Sequence, residues 1–174
     1  MKTLVIYNSK TGFTKRYAEW IAEELKCEAV PLGTKVADYD KIIFCSYIHA
    51  GFINRLKKIK TLYGNRLIVA ATGATPAAAE NVINKIWTEN LTGAELESIP
   101  HFYLQAGLNY EKMGFWDRTV MKLVAKMVSG KKGDNDVETG ALEAMQNSHD
   151  ISSREFIMPL VEYVNNSLDK LPTI

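Results

Sequence analysis

The sequence predicts an α/β domain built on a parallel sheet. Strand-like apolar runs alternate with segments of helical apolar spacing, and each return to a strand in the same direction needs a crossover, normally right-handed. A polar Ser/Thr/Gly turn also joins the first strand directly to the first helix. At 174 residues, with 47% hydrophobic and 24% charged residues, the chain has the size and balance of one globular domain and not of a disordered or fibrous protein. A single domain over residues 1–174 is expected.

Thr3-Leu4-Val5-Ile6-Tyr7 is β-branched and aromatic, and reads as a buried strand ending in the turn Asn8-Ser9-Lys10-Thr11-Gly12. Tyr17, Ile21 and Leu25 then recur at helical spacing, with Lys15, Arg16, Glu19, Glu23 and Glu24 on the wet side. Residues 27–32 predict a second strand and residues 41–46 (Lys-Ile-Ile-Phe-Cys-Ser) a third. Phe52, Leu56, Ile59 and Tyr63 mark a second helix that Gly64-Asn65 closes. Residues 66–72 predict a fourth buried strand, after which Thr75-Pro76 offers an N-cap and a first-turn proline for a helix running to about Trp87. A weaker fifth strand is expected over residues 100–106. Ser152-Ser153-Arg154-Glu155 reads as a capping box before Phe156, Ile157, Leu160, Val161, Val164 and Leu168, a final helix covering one edge of the sheet. Between them, residues 108–150 are too long for an ordinary connection and predict a functional insertion within the same domain.

Composition narrows the function classes. The formal charge is +1, yet residues 112–132 hold six basic residues against Asp117 alone, a net +5 that leaves −4 for the rest. A local site for an anionic surface or substrate fits this asymmetry, whereas a nucleic-acid binder would be more evenly basic. The apolar runs are far shorter than the roughly 20 residues of a membrane span, and the amino terminus lacks the features of a signal peptide. A cytoplasmic protein is expected. Cys27 and Cys45 have no CxxC spacing and read as reduced core residues. His101 and His149 have no partner at metal spacing, and no Ser-His-Asp triad is legible, so neither a metal centre nor hydrolysis is expected. Trp20 and Trp87 fall on helices and are read as packing residues.

The central clue is Ser9-Lys10-Thr11-Gly12-Phe13-Thr14, set between the first strand and first helix. Hydroxyls at Ser9, Thr11 and Thr14 with peptide N–H groups at a helix amino terminus can surround a phosphate, and Gly12 lets backbone and oxygen approach. A Ser/Thr-rich capping turn is the plainer alternative. No GxxxxGK[ST] or GxGxxG sequence is present, and the first and third strands end in Tyr7-Asn8-Ser9 and Cys45-Ser46-Tyr47, without the acidic residues of a phospho-receiver.

Residues 9–14 match the Ser/Thr-x-Thr-Gly-x-Thr phosphate loop, and the chain resembles the flavodoxin superfamily. The resemblance implies noncovalent FMN on a flavodoxin-like, doubly wound, five-stranded parallel sheet of order 2-1-3-4-5, with a helical insertion after strand five. It further implies three cofactor loops: Ser9, Lys10, Thr11, Gly12, Phe13 and Thr14 for the phosphate, with Ser46, Tyr47, Ile48 and His49 on one side of the isoalloxazine and Thr72, Gly73 and Ala74 on another. Catalysis would be flavin-centred, with no obligatory side-chain acid or base.

Within the insertion, Tyr110-Glu111-Lys112-Met113-Gly114-Phe115-Trp116-Asp117-Arg118, then Met121-Lys122-Leu123 and Lys126-Met127, looks like the long loop and helix of quinone-dependent protoporphyrinogen dehydrogenases. That resemblance implies a porphyrin substrate, electron delivery to a quinone and a peripheral place at the inner face of the membrane. Arg118, Lys122 and Lys126 lie four apart on one helical side, and Trp116 with Met121 would add apolar contact, a pattern suited to anionic lipid or porphyrin carboxylates. An ordinary packed surface helix has the same amphipathicity. The alternatives are a flavodoxin-like electron carrier that docks a redox partner protein, and an interaction module that has lost flavin.

Overall fold

The computed structural model describes residues 2–109, 111–112 and 147–169. It divides into two compact units, Met1–Ala106 with Ser152–Ile174, and Gly107–Ile151, the second close to the segment that its length set apart in the sequence.

The first unit is a sheet between two helical layers. Its strands are β1 (Thr3–Asn8), β2 (Glu28–Pro31), β3 (Lys41–His49), β4 (Phe52–Ile53), β5 (Leu67–Gly73) and β6 (His101–Gln105). The helices are α1 (Phe13–Glu24), α2 (Leu56–Tyr63), α3 (Glu80–Asn90), α4 (Gly93–Ser98) and α5 (Met158–Asp169). The strands run in the order β2-β1-β3-β5-β6, all parallel, with the two-residue β4 pairing antiparallel to β3. Leaving β4 aside, this is the expected 2-1-3-4-5 order, a flavodoxin-like α/β fold.

Alternation along each strand builds a core on both faces. Val5, Ile43, Cys45, Ile68, Ala70 and Leu104 pack with Tyr17 and Ile21 of α1 and Leu160 and Val164 of α5. Leu4, Ile6, Ile42, Phe44, Val69 and Ala71 pack on the opposite face with Leu56 and Ile59 of α2 and Ile86 and Trp87 of α3. Both cysteines are free, Cys45 buried and Cys27 half-buried. Trp20 packs edge-on against Tyr17 at 5.4 Å, and Trp87 lies 4.6 Å from His101, whose Nδ1 contacts the Ile99 carbonyl at 2.8 Å.

Four elements differ from the sequence expectation. The second helix starts at Leu56, because Ala50 and Gly51 turn the chain into β4 and carry Phe52 out of the helix. The next helix starts at Glu80 instead of after Thr75-Pro76. The intervening backbone is engaged by β6: the Tyr103 hydroxyl donates to the Thr75 carbonyl at 2.8 Å, and Gln105 Oε1 accepts from the Ala77 N–H at 2.7 Å. At the last helix Ser153 accepts from the Glu155 N–H at 3.3 Å over a short 3-10 turn, Arg154–Ile157, so the expected capping box is replaced by a tighter turn. A capping box does form at α4, between Thr92 and Glu95, in a helix the sequence reading passed over.

In the second unit Leu108 and His149 form an antiparallel bridge, with the His149 N–H donating to the Leu108 carbonyl at 2.9 Å. A Cβ at Gly107 would lie 1.7 Å from the His149 carbonyl oxygen, so only glycine fits there. Among the described residues, no helix is long and apolar enough to cross a membrane, and no group of His, Cys, Asp and Glu could hold a metal ion.

Candidate cofactor site

The parallel register sets the carboxyl ends of three strands side by side. Asn8 of β1 pairs with Ser46 of β3, which pairs in turn with Ala71 of β5, while Tyr47 lies opposite Thr72. In open α/β sheets this edge, where the strand order reverses, is where ligands bind.

The loop between β1 and α1 is built locally. Gly12 sits at the N-cap of α1 with φ 102°, in left-handed territory that a side chain would strain. Its N–H donates to Ser9 Oγ at 3.3 Å, which leaves the Ser9 hydroxyl proton available to donate elsewhere. The first-turn N–H groups of α1 have no intrahelical acceptor, no side chain caps them and no acidic residue occupies the turn, so this end of the helix presents positive potential. Ser9 and Thr11 are half-exposed and Lys10 is exposed, whereas Thr14 is only 2% exposed and Phe13 is buried beneath the Arg16 guanidinium. These features fit a phosphate monoester.

The second wall is a hairpin. β3 continues past Ser46 to His49, turns through Ala50 (φ 50°) and Gly51 (φ 84°), and returns as β4. Positive φ at both central residues matches the twist of a two-residue hairpin, and an alanine there is unusual. The sequence ends the third strand at Ser46 and places Tyr47, Ile48 and His49 in a loop; the strand itself continues to His49. Ser46 is fully buried and commits its hydroxyl to the Asn54 carbonyl at 2.7 Å. Ile48 packs toward the α2 and α3 layer. Tyr47 shares the α1 face with Ile43 and Cys45, and His49 and Phe52 face each other across the strands, both exposed, Phe52 by 60%. The spacing of Phe52 to Leu56 and Ile59 imitates a helix, which hides its place on β4 from a reading of the sequence.

The third wall starts at Thr72, which shares the α1 face with Ile68 and Ala70. Its Oγ1 is buried without a hydrogen-bond partner in a side chain only 4% exposed. An orphaned donor at this position fits a polar ligand atom better than an apolar core, where it carries a desolvation penalty. Gly73 follows, where a Cβ would come within 2.8 Å of the Tyr103 hydroxyl and 3.1 Å of Ile48. Ala74 is half-buried beyond it. Burial pushes the Tyr103 phenol up to about 12.

Trp116, Arg118, Met121, Lys122 and Lys126 lie outside the described residues. A separate cavity of about 320 Å³ opens at the opposite, amino-terminal edge, lined by Lys2, Cys27, Tyr39 and Val164 among others. Its Cys27 thiol, pushed up to about 11 by burial and then by Glu28, stays protonated and is no nucleophile at neutral pH.

Residues 4–136 match the family model described as Flavodoxin domain, more than half of the chain. The chain belongs to the flavodoxin-domain family. Among solved structures it resembles a candidate flavoprotein from Bacteroides uniformis at 18% identity and a TM-score of 0.40, covering 59% of this chain and 86% of that one. A flavodoxin from the domain Archaea matches at 17% identity and a TM-score of 0.39, covering 60% and 85%. Such distant likenesses carry no functional weight. No curated protein matches the chain. Family membership agrees with the observed strand order, and it supports flavin binding at a coarse level.

Proposed function

We propose that this protein binds FMN at the carboxyl edge of its sheet and transfers electrons through it. The observation that carries the reading is the uncapped amino terminus of α1 behind the left-handed Gly12, within a flavodoxin-family chain. FMN supplies the redox chemistry when bound, accepting and releasing electrons at its ring. The chain's part is positioning: Ser9, Thr11 and Thr14 with the α1 N–H groups would hold the phosphate, Lys10, Gly12 and Phe13 would shape that loop, and the buried Thr72 hydroxyl would offer the cofactor a hydrogen bond. Tyr47 and His49 would line one side of the ring, and Gly73 and Ala74 would leave room for it on another.

The finer reading is a dehydrogenase that oxidises a porphyrinogen and passes the electrons to a quinone at the membrane surface. Its support is the sequence likeness over residues 110–127, where Arg118, Lys122 and Lys126 would meet carboxylates or anionic lipid. The alternative is a carrier that exchanges electrons with a protein partner and has no small-molecule substrate.

The experiment begins with reconstitution. The apoprotein should take up one FMN with a flavin absorption band and bind it more tightly than riboflavin; absence of any flavin uptake sinks the proposal. Anaerobic protoporphyrinogen oxidation with a menaquinone analogue, read by porphyrin fluorescence, then separates the two finer readings. Turnover identifies the enzyme, whereas no turnover with rapid exchange from a reductase identifies the carrier.

A further inference from the structure

The hairpin formed by β3 and β4 is too short to hold itself. β4 contributes two residues and two register pairs, and a lone two-stranded ribbon is marginal in water even when longer. Its fixed shape comes from elsewhere in the chain. Asn90, the last residue of α3, donates from Nδ2 to the Gly51 carbonyl and accepts at Oδ1 from the Ile53 N–H, both at 2.8 Å. One amide therefore grips the backbone on either side of Phe52. Asn90 is itself held: Nδ2 also donates to the Ile86 carbonyl at 2.8 Å, and Lys60 Nζ donates to the Asn90 carbonyl at 3.0 Å while contacting Glu95 Oε2 at 2.7 Å. From the other side Asn8 Nδ2 donates to Asn54 Oδ1 at 2.9 Å and to Ser46 Oγ at 3.2 Å, and the Asn54 N–H donates to the Tyr47 carbonyl at 3.0 Å.

We infer that Asn90 is a positioning residue that sets the hairpin wall before the cofactor arrives. This rests on the reading that Tyr47 and His49 flank the flavin ring. Asn90 itself stands behind the turn, bonded to its backbone. Side chains that must meet a planar ring gain from a frame ordered in advance, since a wall formed only part of the time weakens apparent affinity by that fraction. The same frame holds Phe52 and His49 outward, in directions two register pairs alone would not fix.

The test pairs hydrogen exchange on the apoprotein with flavin titration for wild type, Asn90→Ala and Asn90→Asp. In Asn90→Ala, amides of residues 46–54 should exchange about tenfold faster or more while those of α1 keep wild-type rates. Affinities for FMN and riboflavin should fall by the same factor, about tenfold if the wall is formed a tenth of the time, so their ratio is preserved. Asn90→Asp keeps the acceptor for the Ile53 N–H and should retain protection there, with a smaller loss of affinity; it also keeps the test decisive should Asn90→Ala fail to fold. Wild-type exchange over residues 46–54 in the variants overturns the inference. So does faster exchange with both flavin affinities unchanged, which would make Asn90 a purely structural brace. Failure of the wild type to bind any flavin overturns the functional reading instead, and with it the positioning role, while the exchange data still show whether Asn90 orders the hairpin.

Discussion

The loop at residues 9–14, proposed to hold a phosphate, and the hairpin at residues 46–54 stand beside each other at one sheet edge, yet they are held by opposite means. In the first, Gly12 bonds Ser9 three residues back and the Arg16 N–H bonds Gly12 four residues back. In the second, Ser46, Gly51, Ile53 and Asn54 are tied to Asn8 and Asn90, 37 to 46 residues away in the chain. A site can thus combine a part whose shape is written in adjacent residues with a part whose shape exists only when the layers pack. The local part also lacks strain outside a glycine, whereas the hairpin places Ala50 at φ 50°.

The largest expected effect breaks the local part alone. Thr11→Val and Thr14→Val each remove a donor with little change of shape, and a hydrogen bond to a charged group is worth about 1.5–3 kcal/mol. The double variant should weaken FMN by roughly a hundredfold or more and leave riboflavin affinity unchanged, as read by fluorescence titration. This is the opposite signature to the equal losses expected from the hairpin brace. Equal loss of both ligands here would move the phosphate away from the loop.

Next in size is an alkaline effect on the third wall. Burial raises the Tyr103 phenol from 10.0 to about 12, and the unfolded chain has the ordinary value. The stability linked to this group is fully present below about pH 10 and is lost as pH rises toward about 12, because the unfolded state ionises first. The loss is on the order of 2 kcal/mol. Urea midpoints measured from pH 8 to 12 should fall across that window, and Tyr103→Phe should make the upper part shallower without levelling it, because burial also pushes up the Cys45 thiol and that group keeps contributing to the fall. Cys27, raised from 9.0 to about 11, adds an earlier fall that Tyr103→Phe leaves in place.

The smallest effect probes the strain in the hairpin. Ala50→Gly relieves a left-handed alanine worth about 1–2 kcal/mol, against about 0.4–1 kcal/mol of added chain entropy. A net gain of up to about 1.6 kcal/mol is expected in thermal or urea melts. A loss of stability would mean that the Ala50 methyl makes contacts that outweigh its backbone strain.

The sequence by itself determined the layered α/β fold, because periods of two and of 3.6 residues are read over short windows and their alternation leaves few topologies. It also determined the loop at residues 9–14, where strand, hydroxyls, glycine and helix start are contiguous. Tertiary structure alone decided the rest of the site. Phe52 obeys helical spacing with Leu56 and Ile59, yet two positive φ values and the Asn90 amide make it a strand residue. Thr75-Pro76 has a fitting helix start, yet Tyr103 and Gln105 hold that backbone and the helix waits until Glu80. Asn8, Asn54 and Asn90 carry no periodic or motif signal. A polar side chain becomes a brace only when packing delivers a distant backbone group to its amide, and that distance in sequence is what no local reading spans.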